Sequence, residues 1–374
     1  NGISKINWVA GGISIDTRNI KPGDLFVALK DKRDGHEFVK AAFEKGASAA
    51  LVSKVPDGVN ENFPLLVVED VFGALQSMAK FARARTKAKI IGVTGSVGKT
   101  STKEMLKTIL TENGKTHAAE KSYNNHWGVP LTLARMPKNS DFAIIEIGMN
   151  SPNEIRPLAK LAALDVAIVL NVAPVHLKAF KNVEEIAFAK AEIFENLTSK
   201  NSAIVNNDLS TTQILLKTVK AVGANLVTFG QKDKSDFRLV SSTWHKNKTS
   251  VKAKINDQNI HFDFCAEGDH FSMNALAAFA AAELVGADRK ITTQAFSNWQ
   301  APKGRGERKK IKFGLGNIEL IDESYNANPI SMAAAIKVLS NSKSSGRKIA
   351  ILGEMGELGV EENLFHSDLA RIEG

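Results

Sequence analysis

Apolar residues gather along the chain in short, nearly continuous runs with helical stripes between them. The runs are Ile90–Val93, Ala143–Ile147, Val166–Leu170, Ala203–Val205 and Leu226–Phe229. A strand that is apolar without alternation is covered on both faces, so these runs predict a parallel sheet with helices on either side. In such a sheet ligands bind at the carboxyl ends of the strands. Residues 232–262 alternate more weakly and carry many charges, which suits an antiparallel edge. An Ala-rich helix is predicted over Asn274–Val285.

Two smaller patterns flank this block. Before it, a turn at Gly23-Asp24 leads into strand-like Leu25–Leu29, a helix over Phe38–Lys45, a strand over Ala49–Val52 and a helix over Val71–Arg85. After Pro302-Lys303-Gly304-Arg305-Gly306 come strand-like Ile318–Ile321, a helix over Ile330–Leu339 and strand-like Ile349–Leu352. The expected fold is α/β in three domains, 1–86, 87–300 and 301–374, with the parallel sheet in the middle one. A length of 374 residues suits two or three domains at about 100–200 residues each. The chain opens without Met beside a strand-like segment and closes at Gly374 within a helical pattern. The first and third domains are therefore expected to be incomplete.

Composition narrows the class. An apolar fraction of 43% supports true cores. The single cysteine, Cys265, excludes an internal disulfide framework and fits a reducing compartment. No apolar run nears the roughly 18 residues that span a bilayer, and Asn1–Ala10 lack the apolar core of a signal peptide. The net charge of +9 comes from scattered lysines without aromatic-interleaved basic runs. That argues for anionic small-molecule substrates rather than nucleic acid.

Chemistry concentrates at Gly95-Ser96-Val97-Gly98-Lys99-Thr100-Ser101, between the first central strand and a helix carrying Met105, Leu106, Ile109 and Leu110 on one side. Strand, glycine turn, Lys-Thr, helix is the layout of a phosphate-binding loop, shorter than the common Walker pattern because Val93 stands where its first glycine would be. Lys99 would reach phosphate and Thr100 would hold Mg²⁺. Glu146, at the carboxyl end of its strand, is a candidate Mg²⁺ ligand or an edge carboxylate facing solvent. His176 lies just past another such strand. Lys190 falls in the apolar stripe of Val183, Ile186, Ile193, Phe194 and Leu197. Periodicity alone favours a snorkelling lysine; burial would instead make its amine neutral and reactive. Loop-like 122–130 and 324–329 are rich in amides that suit a polar ligand or plain turns.

Together these segments resemble the Mur ligases, the ATP-dependent amide ligases of peptidoglycan synthesis. The resemblance rests on the Thr94–Thr100 loop and runs along the whole chain. It takes in Ser14-Ile-Asp-Thr-Arg18, Lys21-Pro-Gly-Asp-Leu-Phe-Val-Ala-Leu29, Asp34-Gly-His36, Tyr123-Asn-Asn125 with Gly128-Val-Pro130, and Glu146-Ile-Gly-Met-Asn150. It continues through Asn171-Val-Ala-Pro-Val-His176, Ala189-Lys190-Ala-Glu-Ile-Phe194, Ser324-Tyr-Asn-Ala-Asn-Pro329 and Leu352-Gly-Glu-Met-Gly-Glu-Leu-Gly359. It implies a first domain for a UDP-sugar, a second for ATP, and a third that closes over the nucleotide and brings the amine. By that resemblance Lys99 contacts phosphate, Thr100 and Glu146 hold one Mg²⁺, and His176 helps hold a second. Lys190 becomes a carbamate ligand, which overrides the snorkelling reading. Asn274 would meet adenine, Arg305 the γ-phosphate and Asp322 the ribose. Ser14, Asp16, Arg18, Asn124, Asn125, Tyr325, Asn326 and Asn328 would bind substrate. The implied substrates are UDP-N-acetylmuramoyl-tripeptide and D-alanyl-D-alanine, and the implied setting is a cytoplasmic monomer.

Three rivals are weaker. The ligase that adds the third amino acid typically carries Asp-Asn-Pro-Arg, which this chain lacks. Folylpolyglutamate synthases share the loop but not the Tyr-Asn-Ala-Asn-Pro type of segment. A non-catalytic nucleotide-binding module would not need Lys99, Glu146, His176 and Lys190 together.

Overall fold

A computed structural model describes residues 2–60, 62–314, 316–343 and 346–372. The chain groups into two compact units, one of residues 1–87 with 123–139, the other of 88–122 with 140–374.

The first unit is a five-stranded sheet of β1 (Gly2–Ile3), β2 (Gly12–Ser14), β3 (Asp24–Val27), β4 (Ala49–Val52) and β5 (Leu65–Val68) in the order β1-β5-β4-β3-β2. All neighbours are parallel except β1 and β5. Helix α1 (Val39–Glu44) follows a 3-10 turn, Gly35–Phe38, so the expected helix at 38–45 begins one turn tighter. Helix α2 (Val71–Ala84) starts where the Asp70 carboxylate accepts the Phe72 N–H. Its buried stripe of Val71 and Leu75 packs with Leu25, Val27 and Leu51.

The second unit opens with β6 (Lys89–Thr94), α3 (Lys99–Thr111) and β7 (Thr116–Ala118). The chain then contributes α4 (Gly128–Ala134) to the first unit. The segment 122–130 is thus loop only as far as Trp127; the Asn125 amide oxygen accepts from Trp127 N and Gly128 N and starts the helix. There follow β8 (Phe142–Glu146), α5 (Ile155–Ala162), β9 (Val166–Val169), α6 (Val183–Ala191), β10 (Ser202–Asn206), α7 (Thr212–Val222) and β11 (Asn225–Gly230). The expected antiparallel edge is a meander of β12 (Phe237–His245), β13 (Lys248–Ile255) and β14 (Gln258–Phe264). Helix α8 (Asp269–Leu284) starts a turn before the predicted residue, and α9 (Arg289–Ala295) completes this part.

The resulting nine-stranded sheet has the order β14-β13-β12-β11-β10-β9-β6-β8-β7. Strand β6 therefore lies between β8 and β9, both parallel to it, and the order reverses there. That reversal opens a crevice at the carboxyl end of β6. Ile91, Val93, Ile144 and Ile168 of the sheet are buried with Leu106 and Ile109 of α3 and the alanine face of α8 in one core.

Beyond Trp299 the chain forms a hairpin of β15 (Glu307–Phe313) and β16 (Gly316–Asp322), then α10 (Pro329–Asn341) and α11 (Glu362–Leu369). Asn328 and Ser331 form a reciprocal capping box on α10, with Pro329 at its first position. The strand expected at Ile349–Leu352 does not form. Those residues pair with no described strand, and Ile351 is exposed. Apolar composition suits a strand but cannot supply the neighbouring ladder that one needs. No described helix is long and apolar enough to cross a membrane.

Candidate active site

The loop after β6 sits at the order reversal and feeds α3. Gly98 is the residue before α3 and has φ +81°; a Cβ there would lie 2.8 Å from both amide atoms of Asn274 on α8. Only glycine meets both the left-handed backbone and that approach. Asn274 thus stands directly over the phosphate loop. The loop is pinned from behind by the segment after β9. The Asn171 side chain accepts from Val97 N at 2.9 Å and donates to Val97 O at 3.1 Å. The Ser96 hydroxyl accepts from Ala173 N at 2.9 Å and donates to Ala173 O at 3.2 Å. Asn171 and Ala173 were not among the expected site residues; the motif Asn171–His176 that contains them was read only for its histidine. Ser101 is buried in the first turn of α3.

Lys99 is half-buried, and its ammonium donates to Gly95 O at 2.8 Å within its own loop. Burial lowers its pKa, against the pull of Glu146 and with some help from Arg305. Thr100 Oγ1 donates to Glu146 Oε1 at 3.1 Å, and Glu146 is 1% exposed, so the solvent-facing alternative for this carboxylate fails. Lys190, on α6, is 2% exposed and does not snorkel. Burial, together with the Lys99 charge, holds its pKa well below the ordinary lysine value. Lys190, from α6, thus feels the charge of Lys99, from α3.

His176 has φ +56° and its Nδ1 lies 2.5 Å from Glu357 Oε2; Glu357 also has positive φ, +64°. Two non-glycine residues in left-handed conformations therefore meet between the central block and the Leu352–Gly359 segment. Such backbone costs about 1–3 kcal/mol per residue and clusters at functional sites. No group of three His, Cys, Asp or Glu that could hold a metal exists among the described residues. The expected metal donors are instead a hydroxyl, a carboxylate, an imidazole and an amine.

Arg305 lies between Gly304 and Gly306, and its guanidinium stacks 3.9 Å above the Tyr325 ring centroid. Asp322 accepts from Ser324 N at 3.1 Å and Ser324 Oγ at 2.6 Å, which lowers its pKa. Beside it, burial pushes the Glu323 carboxyl up to about 7, partly opposed by Arg305 and reinforced by Asp322. Tyr325 and Asn326 are exposed, whereas Asn328 spends its side chain on capping α10. A cavity of about 510 Å³ is lined by Thr100, Ser122, Trp299, Lys303, Arg305 and Tyr325, among others.

In the first unit, Asp16 holds Arg18 by a bidentate pair at 2.9 and 2.8 Å and leaves Arg18 mostly exposed. Ser14 is buried and donates to Asp16 O at 3.1 Å. These residues and Asn124 and Asn125 belong to the first unit, and the phosphate loop belongs to the second.

The loop, the strand reversal and the Thr100–Glu146 pair define an α/β protein of the phosphate-loop, nucleotide-binding class. Family models match within that frame: the Mur ligase catalytic domain over residues 10–83, the Mur ligase middle domain over 93–282 and the Mur ligase glutamate ligase domain over 304–372. The chain belongs to the Mur ligase family, ATP-dependent ligases of peptidoglycan precursor synthesis. A UDP-N-acetylmuramoyl-tripeptide–D-alanyl-D-alanine ligase of Rickettsia prowazekii is 34% identical over 358 residues, covering 96% of this chain and 78% of that protein. MurF from Acinetobacter baumannii has a similar structure, with TM-score 0.84 and 31% identity over 96% of this chain and 77% of that one. MurF from Thermotoga maritima, solved in complex with ADP, gives 0.80 and 27% over 96% and 81%.

Proposed function

We propose that this ligase joins D-alanyl-D-alanine to UDP-N-acetylmuramoyl-tripeptide with conversion of ATP to ADP and phosphate, in the cytoplasm and as a monomer. The 34% identity to the Rickettsia ligase, spread over 96% of the chain, supports the substrates. The observation that carries the chemistry is the line Lys99, Thr100, Glu146 at the carboxyl ends of β6 and β8, with the neutral-leaning amine of Lys190 under Lys99's charge.

The reaction has two steps. A carboxylate oxygen of the tripeptide attacks the γ-phosphorus, the bridging P–O bond to the β-phosphate breaks, and ADP leaves. The amine of D-alanyl-D-alanine then attacks the acyl carbon of the resulting acyl phosphate. The C–N bond forms, inorganic phosphate leaves, and the amine loses its proton. Phosphorylation is needed because oxide is a poor leaving group. Backbone N–H groups of 95–101 and the N-terminus of α3 would hold the phosphates. Lys99 would exchange Gly95 O for phosphate, whose negative charge favours the ammonium form. Arg305, oriented by Tyr325, would face the γ-phosphate, Asp322 the ribose and Asn274 the nucleotide beside Gly98. Ser14, Asp16, Arg18, Asn124, Asn125, Tyr325 and Asn326 would bind the substrates. The three blocks 1–86, 87–300 and 301–374 would act as UDP-sugar, ATP and closing domains.

The residues present fit Mg²⁺. Thr100 and Glu146 offer hard oxygen ligands already in contact, and the Lys190 amine, disfavoured as an ammonium, can add CO₂ to become a carboxylate-like carbamate. Thr100 and Glu146 would hold one ion, and His176 with carbamylated Lys190 a second. Bound there, Mg²⁺ supplies positive charge that offsets crowding between carboxylate and phosphate.

The test is ADP release with Mg²⁺, ATP and UDP-N-acetylmuramoyl-tripeptide, with and without D-alanyl-D-alanine. Release that needs both substrates and yields the pentapeptide mass is expected. ADP release with neither substrate would overturn the assignment.

A further inference from the structure

Among the described residues, the most deeply buried lysine or arginine has no part in the mechanism above. Lys103 lies one turn beyond Lys99 on α3 and is 0% exposed. Its ammonium donates to Ala119 O at 2.9 Å and Lys121 O at 3.2 Å, and pairs with Glu104 Oε1 at 2.8 Å. An ammonium has three protons, and here each has an acceptor. Burying such a group is tolerable only when it is satisfied in this way. Both carbonyls belong to the segment leaving β7, and the next residue along is Ser122.

Ser122 Oγ lies 3.1 Å from Thr100 Oγ1. Thr100 donates its one hydroxyl proton to Glu146 Oε1. The contact with Ser122 must therefore run the other way: Ser122 donates and Thr100 accepts. The chain of bonds is Ser122 to Thr100 to Glu146, with Lys103 anchoring the backbone at its start. It leaves Thr100 one remaining lone pair with a fixed direction. We infer that Lys103 and Ser122 are positioning residues that orient the Thr100 hydroxyl and Glu146 for a divalent cation bound with the nucleotide. Lys103 acts through the backbone of 119–121, and Ser122 acts through its hydroxyl. The inference rests on Thr100 and Glu146 being the cation ligands proposed above.

Calorimetric titration of the whole chain with ADP, in Mg²⁺ and in EDTA, tests it without turnover. In the wild type Mg²⁺ should tighten ADP binding. In Ser122→Ala that Mg²⁺-dependent gain should shrink by about three- to tenfold, the worth of one oriented hydrogen bond, while affinity in EDTA stays put. Ser122→Thr, which keeps the hydroxyl, should recover the gain. Lys103→Met should lose it too, with a lower Tm because two carbonyls are left unsatisfied. A merely structural role would lower Tm without touching the Mg²⁺ dependence. A wild-type Mg²⁺ gain in Ser122→Ala overturns the inference and leaves the ligase reading standing. Absence of any Mg²⁺ gain in the wild type overturns the cation assignment itself, and the inference with it.

Discussion

The central sheet and the C-terminal hairpin use similar residues to different ends. Ile144 of β8 is fully buried, with neighbours above, below and on both edges of its strand. Leu320 of β16 and Phe313 of β15 are apolar too, yet they are 41% and 71% exposed. The hairpin is tied instead by its backbone ladder and by Arg308, which pairs with Glu267 and Glu319. Past it, a small cluster of Met332, Met355 and Leu358 holds α10 and α11. Packing is what fixes the central sheet, and directional bonds do more of the work in the C-terminal hairpin.

Matched substitutions sharpen that contrast, and the largest effect belongs to the centre. Ile144→Ala should destabilise the second unit by about 2–5 kcal/mol, read as a lower urea midpoint. Lys99→Ala should next cut the rate of ADP formation by about 10²–10³-fold with little change in Tm, since it removes charge stabilisation and not packing. A normal rate would remove Lys99 from the mechanism. A smaller effect belongs to Glu323. Its folded pKa of about 7 lies above the ordinary carboxyl value of 4.5, so the fold favours the neutral form. Between those pH values the unfolded chain has lost the proton that the folded chain keeps, and stability falls as pH rises. Glu323→Gln cannot ionise, so its Tm should gain on the wild type from pH 5 to pH 8. A constant gap would mean the carboxyl is not raised. Smallest of all, Leu320→Ala should stay within about 0.5 kcal/mol. A loss like that of Ile144 would break the comparison.

The same contrast explains what the sequence could tell. Continuous apolar runs such as Ile90–Val93 announce strands covered on both faces, and the loop between strand and helix carries its own signature in the spacing of Gly95, Gly98, Lys99 and Thr100. Strand β15 went unread because Glu307–Phe313 is mostly charged, and its order comes from pairing with β16. Ile349–Leu352 looked like a strand for the opposite reason, being apolar without a ladder. Lys190 was ambiguous because a helical stripe tells which way a side chain faces but not how deep it lies. Asn171 and Lys103 act across contacts spanning 74 and 16 residues, which no local pattern encodes.

The place of β6 in the middle of its sheet also sets a timetable for synthesis. Ile90 and Asp165, hydrogen-bonded to one another at the start of β6 and beside β9, are 75 residues apart. At a translation rate of about 5–20 residues per second, roughly 4–15 s pass between their emergence. For that interval the strand bearing the phosphate loop exists with an open edge, the state in which chains stick to one another. Until β9 arrives, the nascent chain therefore carries the loop-bearing strand with one side of its ladder unmade.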